Sequence, residues 1–311
     1  MDATRIPPIK LNTGGSIPAI GLGGGPDDFA PEVLADSERW FSSAIKGYRH
    51  FDTAFVYKTE RYLGAAIRSS GIPREEFFVT TKFPWFHAKD VARSFDDSLR
   101  NLGFDYVDLY LIHLPQVGEY PSGYDGPATL AETFGGLKIL QTPTFNDTWA
   151  ELERIHASGR ARAIGVSNFS IKTLEQLFTT AKIVPAVNQV ELHPYLAQPE
   201  LLEYCRKKGI AVEAYTPSGR DKVRSDPTLV ALGAKYNVTS TQIILAWHVA
   251  RGVVLLPKST NDERQKQNIT LPILSAEDLE SITALDRYER VMAIFGPDGK
   301  WFGWTAEQLG W

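Results

Sequence analysis

The stretch AIGVSNFSIKTLEQLFTTAKIVPAVNQVEL, residues 163–192, contains a complete strand–helix–strand unit. Its first run, AIGVSN (163–168), and its last, AVNQVEL (186–192), are largely apolar without alternation, as in parallel strands covered on both faces. Between them Ser170 precedes apolar residues at helical spacing, so we predict that Ser170 caps a helix. The apolar stripe consists of Ile171, Leu174, Leu177 and Phe178.

The same alternation extends over most of the chain. The other strand-like runs are IPAIGLG (17–23), HFDTA (50–54), FFVTTKF (77–83), YVDLYLIH (106–113), AVEAYTP (211–217) and VVLLPKS (253–259). Helical patterns between them end at glycines, as LLEYCRKKG does at Gly209 and ELERIHASG at Gly159. Eight strands that each lead into a helix predict a single-domain (β/α)₈ barrel, an α/β fold, over about 17–285. A Rossmann fold is less favoured, because GLGGG leads into PDDFAPE rather than a helix.

Two segments interrupt the alternation. Residues 115–147 are rich in Gly, Pro and aromatic residues and show no helix or strand period, so we expect a long, irregular, functional loop. The C-terminal segment, about 286–311, ends in IFGPDGKWFGWTAEQLGW, with three tryptophans and two phenylalanines. Disordered tails are poor in aromatic residues, so we expect this one to pack on the protein.

Composition and charge exclude several classes of protein. With 43% hydrophobic and 23% charged residues the chain is typical of a globular protein, and a net charge of −4 argues against a nucleic-acid binder. No stretch is long and apolar enough for a membrane span. The single cysteine, Cys205, excludes an internal disulfide and lies at helical spacing from Leu201 and Leu202, which favours a core position over a nucleophile. We expect a cytoplasmic monomer or weak homodimer without nucleic-acid or membrane partners.

Polar residues recur at the carboxyl ends of the predicted strands, where barrel active sites lie. They are Asp52, Tyr57, Lys82, His113, Ser167, Asn168, Gln189, Tyr215, Lys258 and Ser259. Taken singly, each has an equally good structural explanation, such as capping or packing. Because such side chains are costly to bury without partners, their recurrence at the same strand end predicts a common pocket.

Six motifs, in order, resemble those of the aldo-keto reductase family. They are FDTAFVYKTE, LIHLP, GVSNF, VNQVELHP, AYTPSG and LLPKSTNDERQKQN. The resemblance covers about residues 10–285. It implies NADPH-dependent reduction of an aldehyde or ketone to an alcohol, a reversible reaction, with a small carbonyl compound as substrate.

The resemblance also implies the catalytic roles. Tyr57 would protonate the carbonyl oxygen, and Lys82, anchored by Asp52, would lower the tyrosine pKa from its ordinary value of about 10. His113 would orient the carbonyl group or share in a proton relay.

The remaining motif residues would bind NADP(H). Ser167, Asn168 and Gln189 resemble the residues that bond the nicotinamide carboxamide, and Tyr215 resembles the ring that stacks on it. Thr216 and Ser218 follow in the same motif. The cluster resembling a 2′-phosphate site consists of Lys258, Ser259, Thr260 and Arg264, and two cations with hydroxyls suit a phosphate dianion. Asn268 resembles an adenine contact, whereas Gln267 stands where the family usually has glutamate.

The substrate pocket departs from the family pattern. Gly25 and Leu114 occupy positions where many members have tryptophan, while Trp85 and Phe86 offer replacement aromatic surface beside Val56. The loss of two indoles predicts an open pocket for ketones or bulkier carbonyl compounds, unless the loop or the tail fills the space.

Two other classes of function are alternatives for this sequence. One is a catalytically silent NADP(H)-binding regulatory protein of the same fold, against which the intact set of four catalytic residue types argues. The other is a metal-dependent hydrolase, which needs several His, Asp or Glu ligands at strand ends. With six histidines and no His-x-His pair, the chain does not visibly meet that requirement, and we expect no metal.

Overall fold

The computed structural model describes residues 6–133, 136–293 and 295–311. Its main sheet has eight parallel strands in the order of the chain. They are β1 Leu22–Gly23, β2 His50–Asp52, β3 Phe78–Phe83, β4 Val107–Ile112, β5 Ala161–Ser167, β6 Val187–Glu191, β7 Ala211–Tyr215 and β8 Val254–Leu256. The first and last strands meet through hydrogen bonds from Gly21 N to Leu255 O, 2.7 Å, and from Leu255 N to Ala19 O, 2.9 Å. The predicted (β/α)₈ barrel is confirmed.

Helices surround the barrel. They are α1 Pro31–Ala35, α2 Ser37–Ala44, α3 Glu60–Ser69, α4 Val91–Leu102, α5 Leu130–Thr133, α6 Phe145–Ala157, α7 Ile171–Phe178, α8 Pro199–Lys208, α9 Arg220–Arg224, α10 Pro227–Tyr236, α11 Ser240–Ala250, α12 Asp262–Asn268, α13 Ala276–Thr283 and α14 Ala306–Leu309. Ser170 caps α7, since its side chain accepts a hydrogen bond from Thr173 N, as predicted. Cys205 is buried in α8, where burial raises the pKa of its thiol to about 11, so the core assignment is confirmed. In the part of the chain that the structure describes, no helix has the length and apolarity to cross a membrane.

Side chains alternate between the two faces of each strand, which gives the barrel two separate apolar layers. In β4, Tyr110 and Ile112 pack in the large core between sheet and helices, whereas Leu109 and Leu111 pack inside the barrel. An N-terminal hairpin, Ile9–Lys10 with Ser16–Ile17, contributes Leu11 and Ile17 to that inner layer. The inner layer therefore fills one end of the barrel and leaves the carboxyl ends of the strands for polar side chains.

The long loop differs from expectation. We predicted 115–147 to be irregular, but Gly118–Glu119 pairs with Lys138–Ile139 in an antiparallel hairpin, and α5 lies within the loop. The loop also ends earlier, because Thr144 and Asp147 form a capping box that starts α6 at Phe145. The two-residue strands are too short to give a period in sequence, and they are fixed by distant partners such as Trp85 O, which accepts from Gly118 N at 3.1 Å.

The aromatic tail packs on the barrel, as predicted. Lys300–Trp301 and Trp304–Thr305 form a hairpin whose Trp301 and Phe302 are buried. The Phe302 ring lies 4.9 Å from that of Trp85, and Gln116 Nε2 donates to Trp301 O at 3.0 Å. The tail thus covers the strand ends of β3 and β4.

Candidate active site

Strand alternation brings the four candidate catalytic residues to one place. Asp52 ends β2 and Lys82 points inward from β3, as does His113 directly after β4. Tyr57 closes a short 3₁₀ turn, Phe55–Tyr57, that follows β2. The four positions share the carboxyl end of neighbouring strands, the end at which barrel enzymes carry their chemistry.

The distances within this group define a buried ion pair beneath a phenol. Lys82 Nζ donates to Asp52 Oδ1 at 2.6 Å and to Thr53 O at 2.9 Å, and both charged side chains are almost completely buried. The same Nζ lies 4.8 Å from the centre of the Tyr57 ring, whose edge-to-face neighbour is the His113 ring at 5.4 Å. The structure brings all four sequence-predicted residues together.

The pKa of Tyr57 differs from the expectation. Burial raises the pKa of the Tyr57 phenol above its ordinary value, and the Lys82 cation opposes that rise without overcoming it. The lysine therefore acts in the predicted direction, but the net shift is upward because burial disfavours the phenolate more strongly. Tyr57 accordingly holds its proton at neutral pH, as a proton donor must.

His113 is a neutral imidazole. Burial, reinforced by the Lys82 charge, holds the pKa of His113 well below its ordinary range. Its Nδ1 has no hydrogen-bond partner among the described residues. A neutral ring carries one N–H donor and one acceptor, which suits a hydrogen bond to a carbonyl oxygen better than the release of a proton.

The residues expected at the nicotinamide are neighbours beside the His113 main chain. Asn168 Nδ2 donates to His113 O at 2.9 Å, and Tyr215 OH donates to Asn168 Oδ1 at 2.8 Å. Ser167 Oγ donates to Gln189 O at 2.9 Å. Asn168 has φ 65°, a left-handed conformation that asparagine tolerates, and this conformation follows the end of β5. Thr216 and Ser218 continue from Tyr215 in the turn that precedes α9.

The cluster expected at the 2′-phosphate lies after β8 and at the start of α12. Arg264 Nε and Ser259 Oγ are 3.4 Å apart, and Asn268 is buried at the end of α12. A cleft of about 270 Å³ opens beside Lys258 and Thr260. Its other lining residues are Pro26, Asp27, Glu32, Val33, Asp36, Ser37 and Trp40.

Two charged residues at this cleft were missed from the sequence. Asp27 Oδ2 lies 2.5 Å from Lys258 Nζ, so an exposed carboxylate already pairs with a cation expected to bind phosphate. Arg39 Nη2 donates to Thr260 O at 3.3 Å. Both belong to segments far from the β8 motif in sequence, and no local pattern identifies them.

The surroundings of Gly25 and Leu114, the two positions where many family members have tryptophan, differ. A Cβ on Gly25 would lie 3.7 Å from atoms of the Tyr57 ring, which is an ordinary van der Waals contact. Leu114 and Val56 instead lie in an apolar cluster with Trp85, Phe86, Tyr120, Trp301 and Phe302. The space expected beside Leu114 is therefore occupied by tail and loop, as the sequence allowed, whereas at Gly25 a Cβ would clash with none of the described residues.

A second buried acid lies one layer below the ion pair. Glu213 of β7 is completely buried, and its Oε2 accepts from Gln189 Nε2 at 2.6 Å. His50 of β2 lies opposite, with Nε2 3.4 Å from Glu213 Oε1. Neither residue is among the predicted site residues, although a glutamate inside the run AVEAYTP and a histidine at the start of HFDTA are signals of buried polar side chains.

Comparison with known proteins gives consistent matches over nearly the whole chain. The sequence model of the Aldo/keto reductase family matches residues 42–287. Glycerol 2-dehydrogenase (NADP(+)) of Saccharomyces cerevisiae is 40% identical over 308 residues, 96% of each chain. Glyoxal reductase of Bacillus subtilis is 38% identical over 289 residues, 91% of this chain and 94% of that protein. The crystal structure of the Bombyx mori aldo-keto reductase in complex with NADP superposes with a TM-score of 0.82 at 34% identity, covering 97% of this chain and 98% of that one.

Proposed function

The chain belongs to the aldo/keto reductase family, and we propose that it is an NADPH-dependent reductase of aldehydes or ketones in which Tyr57 donates the proton. The observation that carries this proposal is the buried Lys82–Asp52 ion pair, 2.6 Å, beneath the Tyr57 ring and beside His113. The intact set of Asp52, Tyr57, Lys82 and His113 argues against a catalytically silent nucleotide-binding protein. The relatives reported above carry enzyme names, which also favours catalysis.

The four residues divide the proton chemistry among them. NADPH, when bound, supplies the hydride that the carbonyl carbon receives. Tyr57 gives its phenolic proton to the carbonyl oxygen, and Lys82 stabilises the phenolate that remains. Asp52 balances the charge of Lys82 within the barrel, where an unpaired cation would be costly. His113, neutral at physiological pH, donates a hydrogen bond that orients the carbonyl oxygen toward Tyr57.

The two ends of the site fit the two ends of NADP(H). At one end Tyr215 offers an aromatic face, and Ser167, Asn168 and Gln189 offer polar groups for a carboxamide. At the other end Lys258 and Arg264 supply cations, with Ser259 and Thr260 supplying hydroxyls, a donor set that suits a phosphate dianion. Thr216 and Ser218 would contact the segment between these ends, and Asn268 the adenine.

The shape of the pocket favours carbonyl compounds that enter over Gly25. The absence of a side chain there leaves the Tyr57 ring accessible, while the aromatic cluster around Trp85 offers a rigid apolar wall. We therefore propose that ketones or bulkier carbonyl compounds are preferred to slim aldehydes.

We also propose a cytoplasmic location, consistent with one buried free cysteine, and a monomer or weak homodimer.

The test is a panel of aldehydes, ketones, keto esters, diketones and sugars, scored by NADPH oxidation with purified protein. The proposal predicts turnover with at least one class and binding of NADPH measured separately by fluorescence. Tight NADPH binding without turnover on any member of the panel would support the regulatory alternative instead.

A further inference from the structure

The buried pair formed by Glu213 and His50 has no assigned role in the proposed chemistry. Both side chains are completely buried, and both point into the barrel. Glu213 precedes Tyr215 by two residues and His50 precedes Asp52 by two, so strand alternation places each directly below a residue of the site. Burying an acid and an imidazole here demands a reason, because both are costly without partners.

The partner of His50 Nδ1 fixes the tautomer of this histidine, and the pKa shifts give the protonation states of both side chains. His50 Nδ1 lies 3.1 Å from Pro18 O, and because a carbonyl oxygen only accepts, Nδ1 carries the hydrogen. Burial lowers the pKa of His50 to about 3, so its Nε2 carries no hydrogen. This nitrogen lies 3.4 Å from Glu213 Oε1, and neither atom has a hydrogen-bond partner among the described residues. Burial, together with the Asp52 carboxylate, raises the pKa of Glu213 to about 8, so the acid holds its proton at neutral pH.

The other oxygen of Glu213 controls the amide of Gln189. Gln189 Nε2 donates to Glu213 Oε2 at 2.6 Å and to Asp52 Oδ2 at 2.9 Å. An amide nitrogen has two hydrogens, so both are used inside the barrel. The amide oxygen is then the group left to face the cofactor side, where it can only accept.

We propose that Glu213 is a positioning residue that fixes the orientation of the Gln189 amide and thereby the nicotinamide carboxamide. This inference rests on the proposed function, because it assumes that NADP(H) occupies the site. Asp52 alone disfavours a flip that would turn the amide oxygen toward its carboxylate, but the terminal torsion of glutamine is broad, so one hydrogen bond leaves the amide loosely oriented. With Glu213 in place, only one orientation satisfies both acids.

Protonated Glu213 also leaves the charge balance of the site undisturbed. Asp52 and Lys82 form one neutral ion pair, and a second carboxylate ion would add an unpaired negative charge within the barrel. Glutamine has the same shape as protonated glutamic acid and offers the same acceptor and donor. Glu213→Gln therefore preserves the proposed role, whereas Glu213→Leu removes it at similar volume.

The experiment compares these two variants with the wild type by binding two ligands. NADPH contains the nicotinamide, whereas 2′,5′-ADP contains the adenosine and its 2′-phosphate without it. Loss of one neutral hydrogen bond corresponds to about 3- to 10-fold in affinity. We expect E213L to raise the Kd for NADPH by that factor and to lower kcat, with the Kd for 2′,5′-ADP within about twofold of wild type. E213Q should restore the NADPH Kd.

Three results would overturn the proposed role of Glu213. If E213L binds NADPH as tightly as the wild type, or weakens NADPH and 2′,5′-ADP alike, Glu213 does not position the nicotinamide end. If E213Q has the Tm of the wild type but does not restore the Kd for NADPH, the protonated form of Glu213 is not the form that positions the Gln189 amide. If the wild type itself does not bind NADPH, the proposed function fails, and this inference fails with it.

A third variant guards against a folding defect. E213L places an apolar side chain against the buried His50 Nε2 in place of a polar one, which lowers stability, whereas replacing both polar residues can be nearly neutral. H50L/E213L therefore serves as the stable counterpart, checked by thermal melting. It should show the same selective loss of NADPH affinity, and wild-type affinity in this double variant would overturn the proposal.

Discussion

Replacing Gly25 by tryptophan should shift the substrate preference from bulky ketones toward short aldehydes. Gly25 does not have a positive φ, and the nearest atoms to a Cβ built on it belong to the Tyr57 ring, at 3.7 Å, so among the described residues a Cβ meets no clash and the backbone needs no strained conformation. An indole placed here would cover roughly 40 Å² of a short aldehyde, a gain of about 1 kcal/mol or about fivefold in kcat/KM. A bulky ketone would meet a filled space, and overpacking costs typically about 1–3 kcal/mol.

The assay measures kcat/KM for one short aldehyde and one bulky ketone with wild type and G25W. We expect a crossover, in which the ketone loses about 5- to 150-fold and the aldehyde holds or gains. The neighbouring glycine is the matched control, because a Cβ on Gly24 would lie 2.4 Å from Asp52 O. Gly24→Ala should lower the Tm, whereas Gly25→Ala should not. A stably folded G25W that loses both substrates alike, or neither, would refute the open-pocket reasoning.

Three further predictions follow from charges around the site. Replacing Lys258 and Arg264 by alanine should raise the KM for NADPH by about 10-fold or more and leave that for NADH nearly unchanged, since each charge-assisted bond contributes about 1.5–3 kcal/mol; equal losses with both cofactors would contradict a 2′-phosphate site. Asp27→Asn should free Lys258 and lower the KM for NADPH a few-fold at low salt, an effect that should fade at high salt because Asp27 is exposed; no change at any salt concentration would argue against competition. The folded protein holds a proton on Glu213 that the unfolded chain releases, because the folded pKa of about 8 exceeds the ordinary value. The stability of wild type relative to E213Q should therefore fall between about pH 4.5 and 8, by at most about 1.4 kcal/mol per pH unit in urea unfolding; parallel stability curves would show that Glu213 is ionised throughout.

The barrel and its four candidate catalytic residues could be predicted because both depend on local patterns. Apolar runs between capped helices identify parallel strands, and residues such as Lys82 and His113 stand at the strand ends where a barrel places its site. The packing of the tail could also be predicted, since tryptophans need burial. The surface on which the tail packs includes Trp85 and Gln116. It depends on contacts between distant segments, so it could not be predicted from the sequence.

Other features depend on partners that no local pattern identifies. The hairpin within 115–147 consists of two-residue strands held by remote main-chain atoms. The pairing of Asp27 with Lys258 joins two loops from opposite ends of the chain. The net pKa shift of Tyr57 depends on its degree of burial as well as on Lys82, and only the lysine was visible in the sequence.

The central claim is that Tyr57 is the proton donor of an NADPH-dependent carbonyl reduction, and Tyr57→Phe tests it most directly. The substitution removes only the hydroxyl and keeps the ring that packs on His113 and lies over Lys82. The measurement is single-turnover reduction of the best wild-type substrate, with the NADPH Kd determined on the same protein. We expect an unchanged Kd and a rate lower by about 10²-fold or more. A near-normal rate at unchanged Kd would contradict the claim.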